Sequence, residues 1–319
     1  MRAMLVDENQ NLNWVEVPDP VAKPQEVVID VHAAGLNRAD LLQRAGKYPP
    51  PPGWPEWMGL EVAGVVSEAH ECSRWKKGDT VCALLGGGGY AQKVAVPEEL
   101  VMSVPRGLSM VEAATLPETF ATAYLNLVME AGMSAGDTVL IHAGASGVGV
   151  AAIQLAKLMN AKVIAMVGTT DKARLVRELG ADIVVNRKIE DLSKILDEHP
   201  ANIALDCVGG EGLGRNIEKL ATGGRWILIA TLGGEQATIP LRAVLKRGVR
   251  LIGSTLRSRT NETKSQILRA LQTDIWPAIE KGLIRPVVYR TLPVEQVQAA
   301  HAILERSENI GKVALRISD

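Results

Sequence analysis

Apolar residues along this chain fall into two rhythms. In the first third they come as short runs rich in β-branched residues, "EVVIDVHAAG", "EVAGVVSEA", "DTVCALL" and "YAQKVAV", parted by Gly, Pro and charged turns. Runs of that length and spacing predict a compact β barrel or sandwich. From residue 138 the rhythm changes. Brief apolar runs at Thr138–His142, Lys162–Val167, Asp182–Val185, Ile203–Cys207, Arg225–Ala230 and Arg250–Ile252 alternate with helix-like or loop segments. Strands alternating with helices predict a parallel sheet covered on both faces. Val148, Ala152, Leu155, Ala156 and Met159 recur at helical spacing and predict a helix with one apolar face. Beyond Thr260, "NETKSQILRALQTDIWPAIEKG" and "VEQVQAAHAILERS" read as helices and "KVALRIS" as a last strand. The expected fold class is α/β, with two kinds of domain.

Composition narrows the function without naming it. A chain of 319 residues with 47% hydrophobic content suits about two domains. With 35 basic and 36 acidic residues, net charge gives no pull toward nucleic acid or an anionic membrane. The N-terminus "MRAMLVDENQ" is not an apolar leader, and no run approaches the roughly 20 apolar residues of a membrane span. Cys72, Cys82 and Cys207 are odd in number and widely spaced, which fits a reduced, cytoplasmic protein. Aromatics at 3% leave little for stacking on bases.

The first run of the second rhythm leads into "HAGASGVGV". A strand, a glycine turn and an immediate helix are the parts of a dinucleotide site. Missing Cβ atoms let the backbone approach a pyrophosphate, and the helix N-terminus favours its charge. The spacing Gly144-x-x-Gly147-x-Gly149 departs from G-x-G-x-x-G, so an ordinary tight strand-to-helix turn stays open on the glycines alone. The next strand separates the cofactors. An NAD site carries an acid at its end, for the ribose 2′-hydroxyl. Here "KVIAMV" ends in Gly168-Thr169-Thr170-Asp171-Lys172, whose hydroxyls and ammonium suit a 2′-phosphate. NADPH is the expected cofactor, with Asp171 as the N-cap of the following helix.

The stretches "AAGLNRADLLQRAGKYPPPPG", "GLEVAGVV", "HAGASGVGVAAIQLAK", "GSTLRSR" and "NIGKVAL" together resemble the zinc-independent quinone oxidoreductases, the zeta-crystallin-like group of the medium-chain dehydrogenase/reductase superfamily. The resemblance covers essentially the whole chain. It implies a GroES-like β-barrel catalytic domain over 1–120, a Rossmann NADPH-binding domain with a doubly wound parallel sheet over 121–262, and a return to the catalytic domain over 263–319. It implies, too, that Tyr48 lies beside the nicotinamide and that Thr122 reaches the nicotinamide ribose region. Ser146, Gly147 and Val148 match the pyrophosphate turn, and Gly168, Thr169 and Lys172 the 2′-phosphate pocket. Ala230, Leu232, Leu256 and Arg257 would contact the nicotinamide side, and Asn309 would close over the cofactor. Where relatives carry tyrosine near the adenosine, this chain has Arg187 after Asn186, able to cover the adenine or pair with the 2′-phosphate.

Metal-dependent relatives hold zinc with a cysteine, a Gly-His-Glu run and a later cysteine. The matching positions here are Asn37, Leu60 and Glu118, and no metal is expected, since leucine cannot coordinate. Without a Lewis acid, alcohol oxidation loses its support for the alkoxide, whereas an electron-poor quinone takes hydride readily. Tyr48 and Asn37 are the candidate donors to the developing oxyanion, against the plainer roles of loop packing and turn bonding.

Three further features carry less. "YPPPPGWP" reads as a stiff loop bordering the site, and "LLGGGGYAQ" as a hairpin turn. Lys246, Arg247, Arg250, Arg257 and Arg259 form a local basic cluster, a solvated edge or a modest RNA patch. The expected protein is an NADPH-dependent quinone reductase acting on a small quinone or enone. It is expected to form a homodimer through the edge strand "VRLIG", as relatives commonly do. Two rivals stand beside it: a reductase of activated C=C bonds in an alkenal or enoyl thioester, and an NADPH-binding, low-turnover RNA-binding or scaffold protein.

Overall fold

The protein is described by a computed structural model covering residues 1–318. Along the chain come β1 (Arg2–Val6), β2 (Leu12–Glu16), β3 (Glu26–Gly35), β4 (Glu61–Glu68), β5 (Thr80–Leu84), β6 (Lys93–Pro97) and β7 (Val101–Ser103). Then follow β8 (Thr138–Ile141), β9 (Lys162–Val167), β10 (Ile183–Asn186), β11 (Ile203–Asp206), β12 (Arg225–Leu228) and β13 (Arg250–Gly253), with β14 (Val288–Pro293) and β15 (Lys312–Arg316) last. The chain divides into two compact units, one built from Met1–Ala121 with the chain from Arg257 onward, the other from Thr122–Leu256.

In the first unit a mostly antiparallel sheet runs β14-β15-β3-β4-β5-β7, with β6 also on β3. β3 is the hub: it pairs with β4, β6 and β15, and most of its ten residues are buried. Its continuous apolar sequence follows from partners on both edges. β1 and β2 form a separate antiparallel pair. The closing strand β15 brings the last part of the chain beside β3, in register Leu315 with Ala34. Lys312 is thereby delivered to the start of the helix Arg38–Arg44.

The second unit is a six-stranded parallel sheet in the order β10-β9-β8-β11-β12-β13. Its core gathers Leu140, Ile164, Val185, Ala204 and Ile217 around Trp226, which is fully buried. Strand order reverses between β8 and β11, and a ligand crevice opens outside the carboxyl ends of the strands at such a reversal. The helix Gly147–Leu158 after β8 is buried over Gly149–Ala156, not along one face as expected. Its sequence explains the difference: within that stretch only Gln154 is polar, so there is no solvent face to expose. At its start Ala143 takes a left-handed conformation, φ 48°. A Cβ on Gly149 would sit 2.5 Å from the Ala143 carbonyl oxygen, so this tight entry accepts only glycine there.

Candidate functional site

The carboxyl edge of the parallel sheet collects the dinucleotide candidates. Ser146 caps the helix Gly147–Leu158, its hydroxyl accepting from the Gly149 N–H at 3.1 Å. The remaining first-turn N–H groups, including those of Gly147 and Val148, have no intrahelical acceptor and suit an anion. Past β9, Thr169 caps the helix Thr170–Glu178 by accepting from the Lys172 N–H at 3.4 Å. The cap is therefore Thr169 and not Asp171, which lies exposed inside the first turn beside Arg174.

Gly168 gives the sharpest test of cofactor fit. A Cβ there would stand 3.3 Å from Arg187 Nε and 3.5 Å from its Nη2. The Arg187 guanidinium, carried by the residue after β10, thus lies over the strand end where an NAD site places its acid. A glycine, a threonine hydroxyl and a guanidinium at this point fit a 2′-phosphate, with the nearby Asp171 carboxylate set against Arg174.

The other candidates are spread along the chain. Ala230 and Leu232 sit past β12, where the Leu232 N–H donates to the Cys207 carbonyl at 3.2 Å, and Leu232 is half exposed. Leu256, beyond β13, is buried. Thr122 lies on the helix Pro117–Tyr124, its carbonyl accepting from Asn126 Nδ2 at 2.7 Å. Asn309 belongs to the first unit, in the turn before β15, and its Nδ2 donates to the Gly311 carbonyl at 2.7 Å.

In the first unit the polar residues of the barrel form one connected set. Asn37 is the N-cap of the helix Arg38–Arg44, and its N–H donates to Asp40 Oδ2 at 2.7 Å. Its side-chain amide is used at both atoms. Nδ2 donates to Glu61 Oε1 at 3.0 Å, and Oδ1 accepts from Lys312 Nζ at 2.8 Å. Lys312 also pairs with Glu61 Oε1 at 2.6 Å and donates to the Leu36 carbonyl. Both charged side chains are almost fully buried. Asp40 accepts from the buried Tyr90 hydroxyl at 2.8 Å. Burial pushes the Asp40 carboxyl up to about 6, against hydrogen bonds and Lys312 that pull it down.

Glu118 joins this set through its backbone. Its N–H donates to Glu61 Oε2 at 2.9 Å. Burial and the neighbouring Glu61 carboxylate push its own carboxyl up to about 8, with Lys312 and Lys264 opposing. Tyr48, half buried, has its phenol raised above the ordinary value by burial and then by Glu118, with Arg257 pulling the other way.

Arg257 does not belong to a surface basic cluster: it is 6% exposed. Its guanidinium donates to the Gly86 carbonyl, to the Tyr48 carbonyl and to Gln43 Oε1. The run "LLGGGGYAQ" is not the expected hairpin turn, since the strands it joins, β5 and β6, pair with other strands and not with each other; its Gly86 carbonyl anchors a buried arginine. Among the described residues no group of His, Cys, Asp and Glu has a metal-binding arrangement, and no helix is long and apolar enough to cross a membrane.

Comparison with known proteins agrees with this architecture. Residues 23–106 match the family described as alcohol dehydrogenase GroES-like domain, and residues 147–273 the family described as zinc-binding dehydrogenase. Human quinone oxidoreductase is 31% identical over 309 residues, spanning 94% of this chain and 92% of that protein. The quinone oxidoreductase of Thermus thermophilus, solved alone and with NADPH, is 30% identical with a TM-score of 0.85, covering 99% of this chain and 100% of the other. An NAD-dependent alcohol dehydrogenase is 31% identical with a TM-score of 0.87, covering 100% of both chains. A GroES-like barrel and a Rossmann sheet with a pyrophosphate-type turn define an oxidoreductase of the medium-chain dehydrogenase/reductase superfamily. Within it, the chain belongs to the zeta-crystallin-like quinone oxidoreductases.

Proposed function

We propose that this protein is an NADPH-dependent reductase that passes hydride to a quinone-like acceptor without a metal ion. The observation that carries the reading is the donor chemistry at Asn37, Leu60 and Glu118. Leu60 offers no ligand atom, and the Asn37 amide is spent at both ends on Glu61 and Lys312. These residues do not fit a catalytic zinc, whatever the broader family's description says. Preference for the phosphorylated cofactor rests on Gly168, Thr169, Lys172 and Arg187, with no acid at the strand end. Ser146, Gly147 and Val148 would hold the pyrophosphate, with Thr122, Ala230, Leu232, Leu256 and Asn309 toward the nicotinamide.

Bound NADPH supplies the hydride. The residues of the barrel handle the charge that follows, since a quinone that has accepted hydride is an anion needing one proton. The Tyr48 hydroxyl donates a hydrogen bond to that oxyanion. Glu118, which keeps its proton up to about pH 8, is the acid near enough to influence Tyr48 and replenish the proton. Asn37, with its amide engaged, acts by fixing Glu61 beneath this acid and not by touching the acceptor. The reading includes a cytoplasmic homodimer paired through β13, the end strand of the parallel sheet, where Leu251 is exposed.

The test follows the loss of NADPH or NADH absorbance with an ortho-quinone, an enone and a crotonyl thioester. Fast oxidation of NADPH by the quinone is expected. Faster turnover of the enone or thioester would transfer the assignment to C=C reduction. No oxidation with any acceptor would refute the enzymatic reading, and an NADPH-sensitive gel shift with AU-rich RNA would then support a binding protein.

A further inference from the structure

Tyr48 sits in a stretch with little regular structure to hold it. The helix Arg38–Arg44 has ended, and no helix or strand forms again until β4 begins at Glu61. A phenol that must meet an acceptor with sub-ångström accuracy needs support from neighbours whose own positions are fixed. Arg257 supplies it. Nη1 donates to the Tyr48 carbonyl at 3.0 Å, and the guanidinium carbon lies 4.7 Å from the centre of the Tyr48 ring. The backbone and the ring plane of one residue are thus gripped by the same side chain.

The other end of the grip is anchored. Nε and Nη2 donate to the Gly86 carbonyl at 2.9 and 2.6 Å, and Nη2 also donates to Gln43 Oε1 at 2.8 Å. Gln43 in turn donates to the Glu56 carbonyl at 2.7 Å, and Lys264 Nζ holds the Arg257 carbonyl at 3.0 Å. The hydrogen-bond acceptors around this buried cation are carbonyl and amide oxygens of the barrel. A guanidinium can span them and lie flat on a ring, whereas an ammonium, a point charge, cannot do both.

We propose that Arg257 is a positioning residue that acts through Tyr48, setting its phenol toward the acceptor, and is not a ligand of the cofactor. The inference rests on the role of Tyr48 given above. Arg257→Lys keeps the charge and loses the span. NADPH affinity, read by fluorescence titration, is expected to stay within about twofold, while kcat/KM for the quinone falls by about a hundredfold, as for a reacting group misplaced by about 1 Å. Hydrogen exchange of residues 45–54 should accelerate. In a Tyr48→Phe background the same Arg257→Lys change should cost no more than about a further twofold, because the group it positions is gone.

Gln43→Met, which removes one anchor and keeps the arginine, should move exchange and kcat/KM in the same direction by a smaller factor. It serves equally if Arg257→Lys does not fold. A tenfold or greater loss of NADPH affinity in Arg257→Lys would overturn the proposal, as would unchanged exchange of residues 45–54 in both variants. So would an undiminished effect of Arg257→Lys on top of an impaired Tyr48→Phe. Full activity of Tyr48→Phe alone would instead defeat the role given to Tyr48, a result read in a chain that retains Arg257.

Discussion

Replacing Lys312 by methionine should cost the barrel far more than loss of a surface lysine. The ammonium is within 2.6 Å of Glu61 Oε1 and 2.8 Å of Asn37 Oδ1, with side-chain exposures of 5% for Lys312 and 0% for Glu61. Methionine fills much of the volume but strands a buried carboxylate. Glu61 then keeps only the Asn37 amide and the Glu118 N–H as donors, and the Leu36 carbonyl and Asn37 Oδ1 lose theirs. Breaking a buried ion pair from one side costs about 3–5 kcal/mol. At about 2–4 °C per kcal/mol for a unit of this size, the melting temperature should fall by roughly 10 °C. Urea unfolding followed by circular dichroism, without cofactor, measures the loss. Adding Glu61→Gln removes the stranded charge, so the double variant should recover a large part of the stability. The deficit of Lys312→Met alone should also shrink toward pH 5, where a carboxylate without its cation can take a proton. A loss below about 1 kcal/mol, or a double variant as unstable as the sum of the singles, would refute the account.

Placing an acid at the end of β9 with Gly168→Asp should draw the Arg187 guanidinium into a salt bridge and oppose a 2′-phosphate. The NADPH-over-NADH preference in kcat/KM should fall by about tenfold to a hundredfold, and an unchanged ratio would contradict the phosphate assignment. Glu118 should leave a pH signature. Its folded-state value of about 8 exceeds the ordinary 4.5, so the folded protein holds an extra proton between those limits and stability declines as pH rises through that window. Glu118→Gln should remove that slope from a melting-temperature profile, lower turnover by roughly tenfold to a hundredfold, and abolish the decline in activity above about pH 8. His301 is buried with neither ring nitrogen hydrogen-bonded, and burial and then Arg44 lower it to about 3. The unfolded chain takes up that proton first, so stability is lost as pH falls below about 6.5, by about 2 kcal/mol near pH 5. His301→Leu should melt higher than the native protein at pH 5 by more than it does at pH 7.5; equal differences at both would dismiss the idea.

The parallel sheet was legible because its inner strands β8, β9, β11 and β12 are largely buried and read as apolar runs; Lys162–Val167 matches β9 residue for residue. β2 was not, since "LNWVE" is half exposed and neither alternates nor runs apolar. The helix cap fell to Thr169 in place of Asp171 because both are good capping residues and only backbone geometry distinguishes them. The barrel's polar set was the least legible part. Asn37 and Lys312 are 275 residues apart, and the β3–β15 pairing that joins them has no local signal. Arg257 resists a sequence reading for the reverse reason: basic residues lie near it in the sequence, and proximity along the chain suggests a surface cluster that this residue does not join, although Lys246, Arg247 and Arg250 are exposed.

The charges of this set bear on the proposed quinone acceptor. Lys312, Lys264 and Arg257 bring three cations, and Glu61, Asp40 and Glu118 three carboxyl groups, each of the six close enough to influence at least one other. Asp40 rises only to about 6 and is mostly ionised at neutral pH, whereas Glu118, at about 8, is mostly protonated. With Glu61 paired as a carboxylate to Lys312, the set carries one net positive charge before reaction. An acceptor that takes hydride becomes an anion, and that charge opposes the surplus. Once Glu118 has given up its proton, the set is balanced and the product neutral. An alcohol substrate would need the reverse sequence, an alkoxide formed beside a carboxyl group that already holds its proton. Glu118 in that state cannot accept the alcohol's proton. The proposed direction and acceptor class thus rest on one protonation balance, and the Glu118→Gln profile tests both.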